Sequence, residues 1–276
     1  MQTELRAWTI KDSIELYNVG GWGRDFFTIN EAGNVEVTPA GPGSLPIDLK
    51  ELVDDLRSRG LNLPVLIRFS DILRTRVEQL FGAFKQAIAE NDYKGAFRGV
   101  YPIKVNQQRH VVEELMEYGR PHNLGIEAGS KPELLVALAL QENPEALILC
   151  NGYKDRAFIE TALLAQKLGR RVVITMDRLG ELDTILAAAA ELDLRPVIGV
   201  RARLTTKGAG KWVESTGDRS KFGLTTAEIV SAVEKLRAVG MLDCLQLLHY
   251  HLGSQIPNIR DIRAAVRFHS HGGITP

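Results

Sequence analysis

Short apolar runs alternate with amphipathic segments along most of the chain, and this alternation predicts the fold. Each run has the length of a buried strand, and each following segment has apolar side chains at helical spacing. The predicted pairs are a strand ending at Lys104 with a helix at 108–118, then 124–127 with 131–140, 146–150 with 155–168, 172–175 with 179–191, 196–200 with 226–238, and 244–249 with a helix from about 258. Such alternation indicates a parallel sheet with right-handed crossovers, covered by helices.

The pattern before residue 100 is less regular. We expect residues 1–46 to be an irregular preface in which residues 26–29 and 35–37 form a hairpin. The pattern then predicts a helix at 48–59, a strand at 64–69, and a helix that Ser70 caps and that ends near residue 89.

Polar side chains end almost every predicted strand, and they help to choose between two architectures. An open doubly wound sheet gathers its site at one switch point, whereas a (β/α)8 barrel gathers residues from many strands at one rim. The barrel is therefore favoured. The polar residues at the strand ends are Lys104, Glu127, Asn151, Asp177, Arg201 and His251.

Six strands are counted from the one that carries Lys104, whereas a complete barrel has eight. We therefore expect an incomplete (β/α)8 barrel of the α/β class, with a partial barrel domain at 47–267 after the 1–46 preface. Residues 268–276 interrupt the last helix and are interpreted as an aberrant or truncated tail.

Composition excludes several classes of partner. The chain has 34 Lys plus Arg and 34 Asp plus Glu, so bulk charge favours neither a nucleic acid nor an anionic membrane. No apolar run approaches the length of a membrane span, and the N-terminus has no signal-peptide core. Cys150 and Cys244 lie in apolar runs and are interpreted as reduced core residues of a cytoplasmic protein.

Lys104 is the first candidate for chemistry. The stretch Val100–Gln107 leads from β-favouring residues into a single lysine and then into a helix. A lysine at a strand end is either a solvated charge or, when its amine is neutral, the partner of an aldehyde cofactor in a Schiff base. Glu127, Asp177 and Arg201 have an equally plain interpretation as rim charges in mutual salt bridges.

The histidines and glycines leave similar alternatives. His249 and His251 share a strand face and are either core histidines or, for His251, a ring that stacks on an aromatic cofactor. Gly253-Ser254 could bind a phosphate, whereas Gly208–Trp212 lacks the spacing of a phosphate-binding loop and is interpreted as a mobile loop. His269 and His271 are interpreted as solvated ends rather than metal ligands.

Several segments together resemble biosynthetic arginine decarboxylases of the bacterial type. These enzymes use pyridoxal 5'-phosphate (PLP) and share the barrel of alanine racemase and of ornithine and diaminopimelate decarboxylases. The resemblance covers roughly residues 8–267. It is carried by residues 101–107 (YPIKVNQ), 125–134 (GIEAGSKPEL), 150–155 (CNGYKD), 220–224 (SKFGL) and 249–255 (HYHLGSQ).

The resemblance implies a role for each candidate. Lys104 would hold PLP as a Schiff base, His251 would stack on its ring, and Ser254 would help to bind its phosphate. Glu127 and Arg201 would position the lysine and the substrate, L-arginine, which loses carbon dioxide to give agmatine for polyamine biosynthesis. Mg²⁺ is also implied, with ligands that cannot be assigned, and so is a homo-oligomer of the full-length enzyme.

The resemblance also implies parts that this sequence lacks. They are a Gly-Gly-Gly phosphate loop, a glutamate at the pyridine nitrogen, an arginine at the phosphate, and a C-terminal β-domain that contributes catalytic residues. The chain is therefore expected to be an N-terminal fragment with impaired activity. A non-catalytic module that binds PLP or a partner remains an alternative, as does an ornithine or diaminopimelate decarboxylase.

Overall fold

The computed structural model describes residues 6–203, 222–253, 256 and 258–263. These residues form two units. The first contains the described part of Met1–Phe97 together with Glu113–Gly119, and the second contains the described part of Arg98–Val112 and Arg120–Pro276.

The elements follow the predicted order from residue 100 onward. In chain order they are α1 (Ile10–Leu16), α2 (Val19–Gly23), β1 (Phe27–Ile29), β2 (Val35–Val37), β3 (Ile47–Asp48), α3 (Leu49–Ser58), α4 (Ser70–Glu90), β4 (Val100–Pro102), α5 (Arg109–Gly119), β5 (Gly125–Ala128), α6 (Lys131–Leu140), β6 (Leu147–Cys150), α7 (Arg156–Lys167), β7 (Arg171–Met176), α8 (Glu181–Glu191), β8 (Ile198–Ala202), α9 (Thr226–Ala238) and β9 (Leu245–Tyr250). Short 3-10 turns cover Ile103–Val105, Arg120–His122 and Leu242–Cys244.

The first unit contains a small antiparallel sheet. The expected hairpin is confirmed, since β1 pairs with β2, and β3 adds a third strand. Asp48 then begins α3, because its carboxylate accepts hydrogen bonds from the N–H groups of Lys50 (2.8 Å) and Glu51 (3.2 Å).

Three expectations for the first unit are wrong. Residues 1–46 are less irregular than expected, because they contain the helices α1 and α2. A complete capping box between Thr9 and Asp12 stabilises the start of α1. Residues 64–69 belong to none of the described strands, and Leu66 is 75% exposed, so this apolar run is not a buried strand. Ser70 does not cap α4; its hydroxyl donates to Glu114 Oε1 (2.7 Å) instead.

The second unit is built on a parallel sheet of six strands in the order β4-β5-β6-β7-β8-β9. The predicted alternation of strands and helices is confirmed in the first five pairs, and in the sixth β9 is followed by a helical turn at residues 259–263. The order never reverses within these strands, which distinguishes the sheet from a doubly wound one with its switch point. A partial (β/α) barrel is therefore the architecture of this unit.

The two faces of the sheet have different residues. Register aligns Ala128, Cys150, Ile174 and Ile198 in one row across four strands, and all four are almost completely buried. The buried side chains of α6, α7 and α8 are likewise mostly apolar.

Both cysteines are free and buried. Among the described residues, no helix is both long enough and apolar enough to cross a bilayer.

Candidate active site

The opposite face of the sheet carries the polar candidates. Residues paired in parallel register point to the same side, so the row Glu127–Leu149–Val173 and the pair Arg201–His249 share this face. Thr175 and Gly199 pair on the same side. The strands are parallel, so their carboxyl ends lie at one edge, where the polar residues gather.

Lys104 lies in the 3-10 turn that follows β4, two residues beyond the strand itself. The hydroxyl of Tyr101 donates to the carbonyl of Asn106 (3.1 Å) and closes this turn. The side chain of Lys104 is 63% exposed, and its Nζ lies 3.8 Å from Oε1 of Glu127. An exposed pair at this distance is worth at most about 1 kcal/mol, so the amine remains available for reaction.

Arg201 lies closer to the sheet and is held more firmly. Its NH1 donates to Oδ1 of Asp177 at 3.4 Å, and the Asp177 side chain is only 2% exposed. Its guanidinium carbon also lies 5.4 Å from the centre of the Phe222 ring. The charges at this edge therefore form two salt bridges, Lys104–Glu127 and Arg201–Asp177.

Burial and the neighbouring charges lower the pKa of both His249 and His251. Desolvation, followed by the positive charges of Arg201 and Lys104, lowers the pKa of His251, and Glu127 opposes the shift. Arg201, Lys104 and Glu127 therefore each lie within electrostatic reach of His251. Burial, reinforced by Arg201 and opposed by Asp177, lowers the pKa of His249 from 6.5 to about 4. His249 is therefore neutral at pH 7.

The shift at His249 predicts a loss of stability in mild acid. A folded-state pKa below the unfolded value means that the unfolded chain binds the proton more tightly. The stability from the neutral imidazole is thus complete above pH 6.5 and is lost as the pH falls towards 4. We expect this group to lower the free energy of unfolding by at most about 3 kcal/mol across that window. Urea unfolding at several pH values measures the effect.

The control for this prediction is a second histidine. His249→Gln should flatten the pH dependence, whereas the same substitution at His110, which is exposed on α5, should leave it unchanged. The groups that act on His249 are Arg201, Asp177, His251 and Lys104. Equal slopes for wild type and His249→Gln would contradict the assignment.

Several buried polar atoms near this edge have no hydrogen-bond partner among the described residues. They are Oδ1 of Asn151, Oγ1 of Thr175, Oδ2 of Asp177 and Nδ1 of His249. Buried polar groups normally find a partner in protein, water or ligand. The groups beside them that fit an anionic aromatic aldehyde such as PLP are the exposed amine of Lys104, the guanidinium of Arg201 and the imidazole of His251.

A buried ion pair below this edge was missed by the sequence analysis. The side chains of Lys154 and Glu181 are 0% and 3% exposed, and Nζ lies 3.4 Å from Oε2. Lys154 Nζ also donates to the carbonyls of Thr175 (2.5 Å) and Gly152. Lys154 lies in residues 150–155, one of the segments that carry the family resemblance. Hydrophobic periodicity could not predict that its side chain is buried, because charged residues are rarely buried.

Gly152 is positioned by the same network. Its φ is +78°, and a Cβ there would lie 2.6 Å from the carbonyl oxygen of Gly129. We expect Gly152→Ala to lower the free energy of unfolding by more than the roughly 1–2 kcal/mol of a left-handed alanine. Gly169→Ala is the matched control, because Gly169 has a φ of +85° and no atom within 4 Å of its Cβ position. Chemical denaturation compares the two, and equal losses would rule out the contact.

Other candidates lie outside the described residues. They are Ser254, the Gly208–Trp212 segment, His269 and His271. Within the part of the chain that the structure describes, no three His, Cys, Asp or Glu side chains cluster as a metal site.

Comparison with known proteins places the chain in a family. The family model for the pyridoxal-binding domain of pyridoxal-dependent decarboxylases matches residues 74–271. Biosynthetic arginine decarboxylase from Gloeobacter violaceus is 56% identical over 95% of this chain, and that from Nostoc sp. is 53% identical over 95%. These matches span 41% and 39% of the relatives, so the chain has about two fifths of their length.

Solved structures agree with the fold. The crystal structure of biosynthetic arginine decarboxylase from Campylobacter jejuni matches with a TM-score of 0.80 and 35% identity, over 91% of this chain and 40% of that one. Diaminopimelate decarboxylase from M. jannaschii shares the fold, with a TM-score of 0.63 at 21% identity over 91% of this chain and 55% of that one. The resemblance to arginine decarboxylases and the partial barrel are both confirmed. Since the family model spans more than half of the chain, the protein belongs to the pyridoxal-dependent decarboxylases.

Proposed function

We propose that the protein containing this chain is a PLP-dependent carboxy-lyase that converts L-arginine to agmatine and carbon dioxide for polyamine biosynthesis. The observation that carries the proposal is the convergence of Lys104, Glu127, Arg201 and His251 at one sheet edge. The similarity to arginine decarboxylases supports the choice of substrate.

The proposal gives each residue of this edge a task. Lys104 would hold the cofactor covalently through Nζ, which its exposed side chain leaves accessible. Glu127 would keep that amine in place and balance its charge. His251, whose lowered pKa favours the neutral imidazole, would stack on the ring, and Ser254 would help to bind the phosphate.

Arg201 would position the anionic groups of substrate and cofactor. The buried carboxylate of Asp177 fixes the direction of its guanidinium, and the fork of a guanidinium suits planar anions. When bound, PLP supplies a sink for the electron pair released as the Cα–carboxylate bond breaks. The carbon that loses carbon dioxide then takes up a proton, which gives the amine product.

Three further properties belong to the proposal. Mg²⁺ is supported by the resemblance alone, and the described residues offer no cluster of three His, Cys, Asp or Glu side chains that fits it. A cytoplasmic location is supported by the two free, buried cysteines. A homo-oligomer is proposed for a protein of the relatives' full length.

Product analysis tests the function. The purified protein is incubated with PLP and L-arginine, L-ornithine or diaminopimelate, and amine and carbon dioxide are quantified. The proposal predicts equal amounts of agmatine and carbon dioxide, with arginine as the preferred substrate. The 276-residue chain alone should be slower than a protein of full length, because it corresponds to about two fifths of the relatives. Faster turnover of ornithine or diaminopimelate would overturn the assignment.

A further inference from the structure

The buried pair Lys154–Glu181 joins backbone segments that follow two neighbouring strands. Oε1 of Glu181 accepts the N–H of Lys154 (2.8 Å), after β6, and Oε2 accepts the N–H of Asp177 (2.8 Å), directly after β7. One carboxylate therefore fixes both segments. Because Glu181 is the first residue of α8, it also lies where the helix dipole favours a negative charge.

Lys154 makes further hydrogen bonds between β7 and the segment after β6, and we call these contacts together with those of Glu181 the link. Its Nζ donates to the carbonyl of Thr175 on β7 (2.5 Å) and to that of Gly152 after β6. Gly152 in turn lies against the carbonyl of Gly129 after β5. With no exposed side-chain surface, Lys154 cannot touch a substrate, so its action is confined to the strand ends around it.

The link reaches the candidate active site through Asp177. The backbone N–H of this residue is held by Glu181, whereas its carboxylate contacts Arg201 at 3.4 Å. The Asp177 carbonyl also accepts the N–H of Gly223 (3.2 Å), next to Phe222 under the guanidinium. Displacement of the Asp177 backbone would therefore displace both neighbours of Arg201.

We propose that Lys154 and Glu181 are positioning residues, which hold Asp177 so that Arg201 is directed at the cofactor site. The inference rests on the proposed PLP site and adds two residues that do not touch it. Glutamate is required rather than glutamine, because both carboxylate oxygens accept backbone N–H groups and an amide offers only one acceptor. A lysine is required because its ammonium donates to two carbonyls and faces the carboxylate.

The test compares Lys154→Met and Glu181→Gln with a control of similar structural severity. Leu163→Ala removes a fully buried side chain of α7 that takes no part in the link. In folded protein at equal temperature, we expect the two variants to weaken PLP binding on the order of 10- to 100-fold, the scale of an ångström-size misplacement. Leu163→Ala should stay near the wild-type affinity.

A second readout does not need the cofactor. NMR titration of His251 reports on Arg201, whose charge lowers the pKa of this imidazole. Release of Arg201 should therefore raise the pKa of His251 in Lys154→Met and in Glu181→Gln, and leave it unchanged in Leu163→Ala. Asp177→Asn, which leaves the buried pair intact but loosens Arg201, should weaken PLP binding in the same way. Glu181→Asp keeps the charge opposite Lys154 but shortens the side chain that accepts both N–H groups, so it carries the test of the pair if the other two variants do not fold.

The outcomes separate the two proposals. If wild type fails to bind PLP through Lys104, the proposed function fails, and the His251 titration alone decides the positioning role. If wild type binds PLP but the variants bind it as tightly as Leu163→Ala and leave the pKa of His251 unmoved, the pair is structural only and the inference is overturned.

Discussion

Replacing Lys104 with alanine is expected to lower the rate of carbon dioxide release from L-arginine by at least about 10²-fold, the scale of a group that acts on the reacting atoms. The reason is that Nζ of Lys104 is the amine next to Glu127 at the edge where Arg201 and His251 also gather. The measurement is the initial rate at saturating PLP, with the visible absorbance of the bound cofactor recorded in parallel.

Lys235→Ala is the matched control for that result. Lys235 lies on α9 and pairs with Asp183 at the surface, where both side chains are substantially exposed. This variant should retain the wild-type rate and absorbance, since exposed pairs contribute little to stability. If Lys104→Ala retained both as well, Lys104 would be a solvated charge and the proposed site would be wrong.

The second large effect concerns stability. Lys154→Met is expected to lower the free energy of unfolding by about 3–5 kcal/mol, because Glu181 is left as a buried charge without its cationic partner. Arg171→Met, which breaks an exposed pair with Glu145, should lower it by at most about 1 kcal/mol. Urea unfolding at pH 7 measures both.

A double-mutant cycle identifies the cause. Adding Glu181→Leu to Lys154→Met removes the stranded charge, so the double variant should lose less stability than the two single variants added together. Recovery will be incomplete, since the N–H groups of Lys154 and Asp177 still lose their acceptor. Strict additivity of the two losses would mean that the residues are not coupled.

The sequence predicted the part of the fold that depends on hydrophobic periodicity. Apolar runs such as 172–175 became strands of the parallel sheet, and the intervening segments became helices. The gathering of Lys104, Glu127, Arg201 and His251 followed from the same topology, because the carboxyl ends of parallel strands share one edge.

Periodicity failed where tertiary contacts decided the outcome. Residues 64–69 form an apolar run of strand length, yet Leu66 is mostly exposed and the run pairs with no described strand. Ser70 was expected to cap α4, but its hydroxyl donates a hydrogen bond to the carboxylate of Glu114, which is distant in sequence. The Lys154–Glu181 pair was missed because its 27-residue separation gives no local signal.

Trapping of the cofactor tests the central claim most directly. The protein is incubated with PLP, reduced with borohydride and digested, and the modified peptide is sequenced by mass spectrometry. We expect one phosphopyridoxyl group per chain, attached to Lys104 within the segment YPIKVNQ. Stoichiometric attachment to any other lysine, or no attachment at saturating PLP, would contradict it.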